Sequence, residues 1–286
     1  MFDRLPQSFA LARSSWQVLR LDKHLLVFPI LSGIGCVLVL ASFLAPLVVN
    51  PHLLDFLQAD GDEVRVPLWF YAVLFAYYFC NYFVVIFFNS ALVGCALLRF
   101  NGDSPKVRDG LSIAAARLPQ ILAWALVSAT VGLLLKAVEN VHEKAGQLIS
   151  AVLGTAWTVL TYFVVPVLVV EKVNPIQAVA RSMNILSKTW GEALVGKIGL
   201  GFVLFLLALP AVAVAVVGMM ALTASPVLGI ALLALAGAYF LVYLAVGPAL
   251  NGIFLAALYQ YAVVGQVPSG FDRSVLEHAF EPKRAG

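Results

Sequence analysis

The side chains that could carry out chemistry are few and widely spaced in this chain of 286 residues. Its four histidines lie in separate segments and lack the close spacing of a metal site: His24, His52, His142 and His278. The sequence contains no serine nucleophile elbow, no phosphate-binding loop and no dinucleotide-binding fingerprint. We therefore predict a protein that is not an enzyme and that needs neither a metal nor another cofactor.

Uncharged polar side chains within apolar stretches are the remaining candidates for a site, chiefly Asn81, Asn89 and Asn251. One interpretation is that they form hydrogen bonds between membrane helices. The alternative is that Asn89 and Asn251, which stand in similar local sequence, line a shared polar cavity. No charged residue lies near the centre of an apolar stretch, which argues against a pump driven by protons or sodium ions.

The composition indicates which kind of solvent the chain must fold in. Apolar residues make up 62% of the sequence and charged residues 12%, against about 45–50% and about 25% in soluble domains. With a mean hydropathy of +0.96, the chain has too little polar surface to cover a water-soluble fold. A net charge of +3 is too small to indicate nucleic acid, and none is expected as a partner.

Long uncharged stretches place the membrane helices. A crossing needs about 20 residues, and the uncharged stretches predict six helices, near residues 25–49, 67–98, 119–137, 148–170, 194–222 and 228–262. These stretches are apolar on every side and do not alternate as the strands of a membrane barrel do. The predicted fold class is all-α, a polytopic bundle of six transmembrane helices in one membrane domain over residues 1–286.

The distribution of Lys and Arg predicts the orientation in the membrane. Fifteen of the 18 Lys and Arg residues fall in the N-terminal segment, the second and fourth connections and the C-terminal tail. Basic residues remain on the cytoplasmic side of a membrane. We therefore expect both termini, including a tail over 263–286, to be cytoplasmic.

Three amphipathic helices are predicted beside the spans, near residues 5–20, 105–118 and 175–190. In each, apolar residues recur at spacings of three and four, which is the period of a helix with one apolar side. Basic helices of this kind lie among lipid headgroups. The residues predicted to contact headgroups are Arg13, Arg117, Arg181 and Lys188.

Each amphipathic helix precedes a pair of spans, and parts of the sequence recur with the same order. Ala10–Ser14 reads ALARS and Ala178–Ser182 reads AVARS, with a weaker copy at Ala114–Arg117. This pattern favours a three-fold parallel repeat, in which each unit is an interfacial helix followed by a helical hairpin.

Two segments carry a resemblance to a known family. Asp22–Gly33 (DKHLLVFPILSG) and Glu171–Ala178 (EKVNPIQA), together with Arg181 and Ser182, resemble an uncharacterised bacterial family of six-helix integral membrane proteins. That family is similar in outline to the membrane domain attached to some glycerophosphodiester phosphodiesterases. The resemblance implies a multi-pass protein of the bacterial inner membrane and assigns no catalytic residue.

These observations predict a structural or accessory membrane component that acts through contacts with lipid and with protein, either another membrane protein or a second copy of the chain. The alternative is a conduit for lipids or small molecules that has no ion-coupling carboxylate. The two hypotheses differ in whether the spans enclose a cavity that reaches the lipid.

Overall fold

The computed structural model describes residues 5–50, 52–53, 67–139, 145–188 and 192–271. Over these residues the regular structure is helical and contains no strand, which confirms the all-α prediction. The helices are α1 (Leu5–Leu21), α2 (Val27–Val49), α3 (Leu68–Phe100), α4 (Val107–Ala115), α5 (Leu118–Glu139), α6 (Ala145–Leu160), α7 (Val164–Glu171), α8 (Pro175–Lys188), α9 (Glu192–Ala224) and α10 (Pro226–Val264).

Six helical segments are long and apolar enough to cross a membrane, as predicted. They are Lys23–Val49, Leu68–Phe100, Leu118–Glu139, Ala145–Glu171, Gly199–Ala224 and Pro226–Val264. The first includes a 3-10 turn at Lys23–Leu26 that leads into α2. The fourth consists of α6 and α7, which are separated by a break.

The break in the fourth span has an identifiable cause. The α-helix ends at Leu160 and resumes at Val164. Pro166 has no N–H to give to the carbonyl of Tyr162, and its ring crowds the preceding turn, so the regular ladder cannot continue there. The span therefore passes through a turn at residues 161–163.

The three amphipathic segments form α1, α4 and α8, as predicted. Residues 189–190, at the end of the third segment, lie outside the described residues. In α1 the buried side contains Ala12, Ser15, Val18 and Leu19 and packs against α9 and α10. Trp16, which the spacing of the apolar residues in α1 places on the same side as Ala12 and Leu19, is instead 40% exposed.

The chain divides into two compact units. One contains Met1–Ile30, Ala91–Gly110 and Met183–Gly286, and the other contains Leu31–Ser90 and Leu111–Ser182. The single membrane domain over residues 1–286 stays a prediction.

In the first unit, side chains from several helices form a buried core that includes Leu25, Phe28, Ile253 and Phe254. Gly110 lies against this core. A Cβ atom at that position would come within 2.7 Å of both the Cys95 Sγ and the Ala91 carbonyl oxygen. Only glycine permits such a close approach.

In the second unit, the buried residues are drawn mainly from α5 and α7, including Ile121, Ala125, Val164 and Val167. The rings of Trp124 and Trp157 stack with their centroids 5.6 Å apart and an angle of 19° between their planes. This stacking joins α5 to α6, and the two helices also pack against one another.

Candidate functional site

The three predicted asparagines lie in different surroundings. The Asn81 Nδ2 donates to the carbonyl oxygen of Tyr77 at 3.0 Å, within α3 itself. Asn89 is half-buried in α3, whereas Asn251 is exposed on α10. Since Asn89 and Asn251 belong to different compact units, a cavity that they share stays a prediction.

Threonine hydroxyls in α6 and in the turn after it form hydrogen bonds along the chain. Each donates to the carbonyl oxygen four residues earlier: Thr155 to Ala151 at 2.8 Å, Thr158 to Gly154 at 2.8 Å and Thr161 to Trp157 at 2.7 Å. These bonds satisfy the hydroxyls without a second helix.

Two of the four basic residues predicted to contact headgroups also bond to the protein. The Arg117 Nε donates to the carbonyl oxygen of Val169 at 3.0 Å, in the last turn of α7. The Arg181 Nε donates to both carboxylate oxygens of Glu171, at 2.9 and 3.1 Å. Arg117 therefore satisfies a carbonyl at a helix end, and Arg181 holds α8 to the end of α7.

The other two basic residues have no described protein partner for their charge. Arg13 is exposed on α1. Lys188 is the last residue of α8, and its side chain lies outside the described part of the structure. Headgroup contact stays a prediction for all four residues.

A buried serine supplies a hydrogen-bond acceptor at the break in the fourth span. The N–H of Tyr162 donates to the carbonyl oxygen of Val159 at 3.2 Å, three residues earlier, whereas an α-helix bonds residues four apart. The N–H of Phe163 then donates to the Oγ of Ser182 in α8, at 3.0 Å. Ser182 is fully buried. The interrupted backbone thus finds its acceptor in the ARS sequence of α8, which recurs in α1.

The start of α8 is fixed by a reciprocal cap. The Asn174 Oδ1 accepts from the N–H of Gln177 at 2.9 Å, and the Gln177 Oε1 accepts from the N–H of Asn174 at 3.4 Å. This arrangement is a capping box, in which two free N–H groups at a helix start are satisfied. Asn174 is therefore the N-cap residue of α8, and Pro175 takes the first helical position.

In the first unit, a buried ion pair joins the start of the first span to the end of α3. The Asp22 carboxylate is 2% exposed and accepts from both Nε and Nη2 of Arg99. Sequence reasoning did not find this pair, because the two residues are 77 positions apart. The available signal was a lone carboxylate immediately before an apolar span.

The segment after α10 folds back onto the same place. The Ser269 Oγ donates to the carbonyl oxygens of Arg99 at 3.3 Å and Phe100 at 3.4 Å. The ring of Phe271 meets that of Phe100 edge to face, with centroids 5.9 Å apart. We call Pro268–Phe271 the tail clip, since it fastens the end of α10 to the end of α3.

Helices α9 and α10 are joined near a proline. Pro210 has no N–H for the carbonyl of Leu206 and disturbs that turn of α9. The Tyr239 hydroxyl of α10 donates to the next carbonyl oxygen, that of Leu207, at 2.6 Å. Beside this bond the two helices leave an apolar groove of about 300 Å³, lined by Ala211, Val212, Ala215, Leu233, Ala236, Gly237 and Phe240.

In the described parts of the chain, no group of three His, Cys, Asp or Glu side chains is arranged to hold a metal ion. The described polar contacts hold helix ends and helix breaks together. The described chain also contains six helical segments of membrane-spanning length and composition, as multi-pass helical membrane proteins do.

The chain belongs to a described family. Residues 68–271, from α3 to the tail clip, match the Family of unknown function (DUF6159). No curated protein and no solved structure matches the chain. Membership of this family assigns no activity.

Proposed function

We propose that this chain is a non-catalytic integral protein of the bacterial inner membrane, with both termini in the cytoplasm. It acts as a structural or accessory component through contacts with lipid and with protein. Its likeness to the membrane domain of some glycerophosphodiester phosphodiesterases belongs to the same proposal.

The observation that carries the proposal is that three of the spans are mostly exposed, because other parts of the chain cover little of their surface. In their most apolar stretches only 11% of Lys23–Val49, 17% of Gly199–Ala224 and 11% of Pro226–Val264 is buried, against 50% of Leu68–Phe100. Large apolar side chains such as Leu38, Phe205 and Leu241 are exposed there. Apolar surface of this extent has to be covered by acyl chains or by helices of a partner.

The ionisable side chains support a non-catalytic role. Asp22 is engaged by Arg99, and Glu171 is engaged by Arg181. Both pairs tie helix ends together, and each carboxylate is neutralised by a guanidinium. A general acid or base instead needs a free proton position facing a substrate.

Site-specific photo-crosslinking in native membranes tests the role in lipid and protein contact. A photoreactive side chain at Leu38 or at Phe205 should yield adducts with phospholipid or with a membrane protein, because both positions are exposed. The matched control is Ile121, which is fully buried in α5 and should yield neither. Equal yields at all three positions would contradict the proposal.

Reporter fusions and cysteine labelling test the orientation. Residues near 55–63, 140–144 and 223–226 should be accessible from outside the cell, and both termini should be accessible from the cytoplasm. Labelling of residue 181 from the outer face would overturn this topology.

The apolar groove between α9 and α10 favours a second candidate, a conduit for lipids. Its lining is apolar and suits a hydrocarbon chain. Gly237 has open space around its Cβ position, so Gly237→Leu should fill the groove without disturbing the helices. If the chain conducts lipid, this variant should slow lipid transfer between leaflets in reconstituted vesicles, and an unchanged rate would eliminate the groove as the path.

A further inference from the structure

The outer side of α1 has a composition unlike its buried side. Arg13, Trp16 and Arg20 follow one another at steps of three and four residues, so they share one side of the helix. All three are exposed, and Gln17 and Leu21 beside them are also exposed. The opposite side packs against α9 and α10, which leaves this outer side as the free surface of α1.

Arg13 and Arg20 have no acidic partner among the described residues, in contrast to Arg99 and Arg181. Arg99 is bound by Asp22, and Arg181 is bound by Glu171. Arg20 instead lies against Trp16, with its Cζ 5.8 Å from the ring centroid. The sequence of α1 contains no Asp or Glu, so two guanidinium groups stand on this side without neutralisation from their own helix.

The position of this side along the chain points to the membrane surface. Helix α1 ends at Leu21, and the first apolar span begins at Lys23. Trp16 is 40% exposed and Leu21 is 71% exposed. Exposed tryptophan and leucine beside arginine, immediately before a span, are typical of a helix lying at the boundary between headgroups and acyl chains.

We propose that Arg13, Trp16 and Arg20 form a binding surface for the phosphate headgroup of an anionic phospholipid. Guanidinium groups bind phosphate oxygens through paired, charge-assisted hydrogen bonds. The seven-residue step places Arg13 and Arg20 about 10 Å apart along the helix axis. The Trp16 ring holds the Arg20 guanidinium in place by a cation–π contact.

This inference rests on the proposed role in lipid contact and makes it specific to a headgroup charge. The full chain, purified in detergent, is titrated with phosphatidylglycerol or with phosphatidylcholine, and bound lipids are counted by native mass spectrometry. Each charge near an anionic surface contributes about a fivefold gain in affinity. The Arg13→Gln/Arg20→Gln variant should therefore bind phosphatidylglycerol about thirtyfold more weakly at low salt, with little change for phosphatidylcholine.

The matched control removes two other exposed charges. Lys106 and Arg108 are exposed in the same unit, and Lys106→Gln/Arg108→Gln should lower the affinity for phosphatidylglycerol less than about threefold, because the affinity resides on α1. Trp16→Leu should lower it about two- to fivefold through loss of the cation–π contact. Thermal unfolding of each variant serves as the check that it is folded.

Two results would overturn the inference. Equal losses in the two double variants would show diffuse attraction in place of a site on α1. Equal binding of the two lipids by the unmodified chain would show no headgroup preference. Neither result affects the adducts expected at Leu38 and Phe205, so the proposed function is tested separately.

Discussion

At the scale of single residues, the break between Leu160 and Val164 depends on one hydroxyl. A backbone N–H left without a partner in a buried or lipid-facing place is strongly destabilising, so an interruption of a span persists only where another group takes over. The Ser182 Oγ accepts the hydrogen bond from the N–H of Phe163. Because Ser182 is completely buried, water cannot replace it as the acceptor.

Replacement of that hydroxyl is our first prediction. Ser182→Ala should lower the free energy of unfolding by about 1–2 kcal/mol, because the N–H of Phe163 would remain unsatisfied. The measurement is thermal or SDS-induced unfolding in detergent. Ser187→Ala is the control in the same helix, since the Ser187 hydroxyl is exposed and bonds only to the carbonyl of Asn184 at 2.9 Å. Similar losses in both variants would show that Ser182 has no special part.

The buried ion pair gives a second prediction. Arg99→Gln should destabilise the protein by about 3–5 kcal/mol, because the carboxylate of Asp22 would stay buried without its cation. Asp22→Asn combined with Arg99→Gln should be less destabilising than the sum of the two single changes. Arg108→Gln removes an exposed charge and serves as control. Additive effects of the two single changes would contradict the coupling.

Some residue roles could be predicted from the sequence and others could not. The start of α8 near residue 175 was predictable, because a helix start such as Asn174-Pro175 depends only on neighbouring residues. The partners of Arg117 and Arg181 were not predicted, because a pattern shows that a residue is basic and not which oxygen lies within its reach. Val169 lies 52 positions from Arg117 and came within reach only through folding.

At the scale of elements, α9 and α10 show how two helices accommodate a proline. Tyr239 is placed by α10 against the turn that Pro210 disturbs, and its hydroxyl bonds to the carbonyl of Leu207. The prolines were evident in the sequence, but their consequences differ. Pro166 coincides with a break, whereas Pro46, Pro210 and Pro248 lie within continuous helices.

Loss of the bond between these helices is our third prediction. Tyr239→Phe should destabilise the α9–α10 pair by about 0.6–1.7 kcal/mol, the range of hydrogen bonds between membrane helices. Unfolding in mixed micelles would measure it. Tyr243→Phe is the control, because the Tyr243 ring stacks on Phe240 and the described contacts include no hydrogen bond from its hydroxyl. An effect of Tyr243→Phe as large as that of Tyr239→Phe would show that loss of the bond to the Leu207 carbonyl is not the cause.

Helix α8 allows a comparison of apolar packing with charge, which is our fourth prediction. Leu186 is 3% exposed, whereas the Arg181–Glu171 pair is partly exposed. Burying an apolar side chain contributes about 1.5–3 kcal/mol, and an exposed ion pair contributes at most about 1 kcal/mol. Leu186→Asp should therefore release the amides of α8 to hydrogen exchange more than Arg181→Gln does. Equal release would show that packing does not dominate.

At the scale of the whole molecule, the number and limits of the spans followed from the sequence. A charge is expensive inside lipid, so charged residues mark most ends of the spans without knowledge of packing. The last two spans share one uncharged stretch and are divided instead at Thr223–Pro226. The buried fraction of each span could not be predicted from the sequence. The spans at Leu68–Phe100 and Pro226–Val264 are similarly apolar, yet the first is 50% buried in its most apolar stretch and the second 11%.

The tail clip provides the fifth prediction. Phe271→Ala should destabilise the first unit by about 3 kcal/mol, because a buried aromatic ring would leave a cavity beside Phe100. Hydrogen exchange should show faster exchange at the ends of α3 and α10 than in the unmodified chain. Val263→Ala, at an exposed position in the same region, is the control. Unchanged protection in Phe271→Ala would contradict the clip.

The packing of α1 on α9 and α10 has a consequence for the order of assembly. Helix α1 is synthesised well before α9 and α10, on which it packs. Until synthesis passes α10, the buried side of α1, with Val18 and Leu19, lacks the surface that these two helices provide. Over that interval α1 must therefore be held by lipid or by another cellular component. Its docking on α9 and α10 is necessarily a late step in the folding of the first unit.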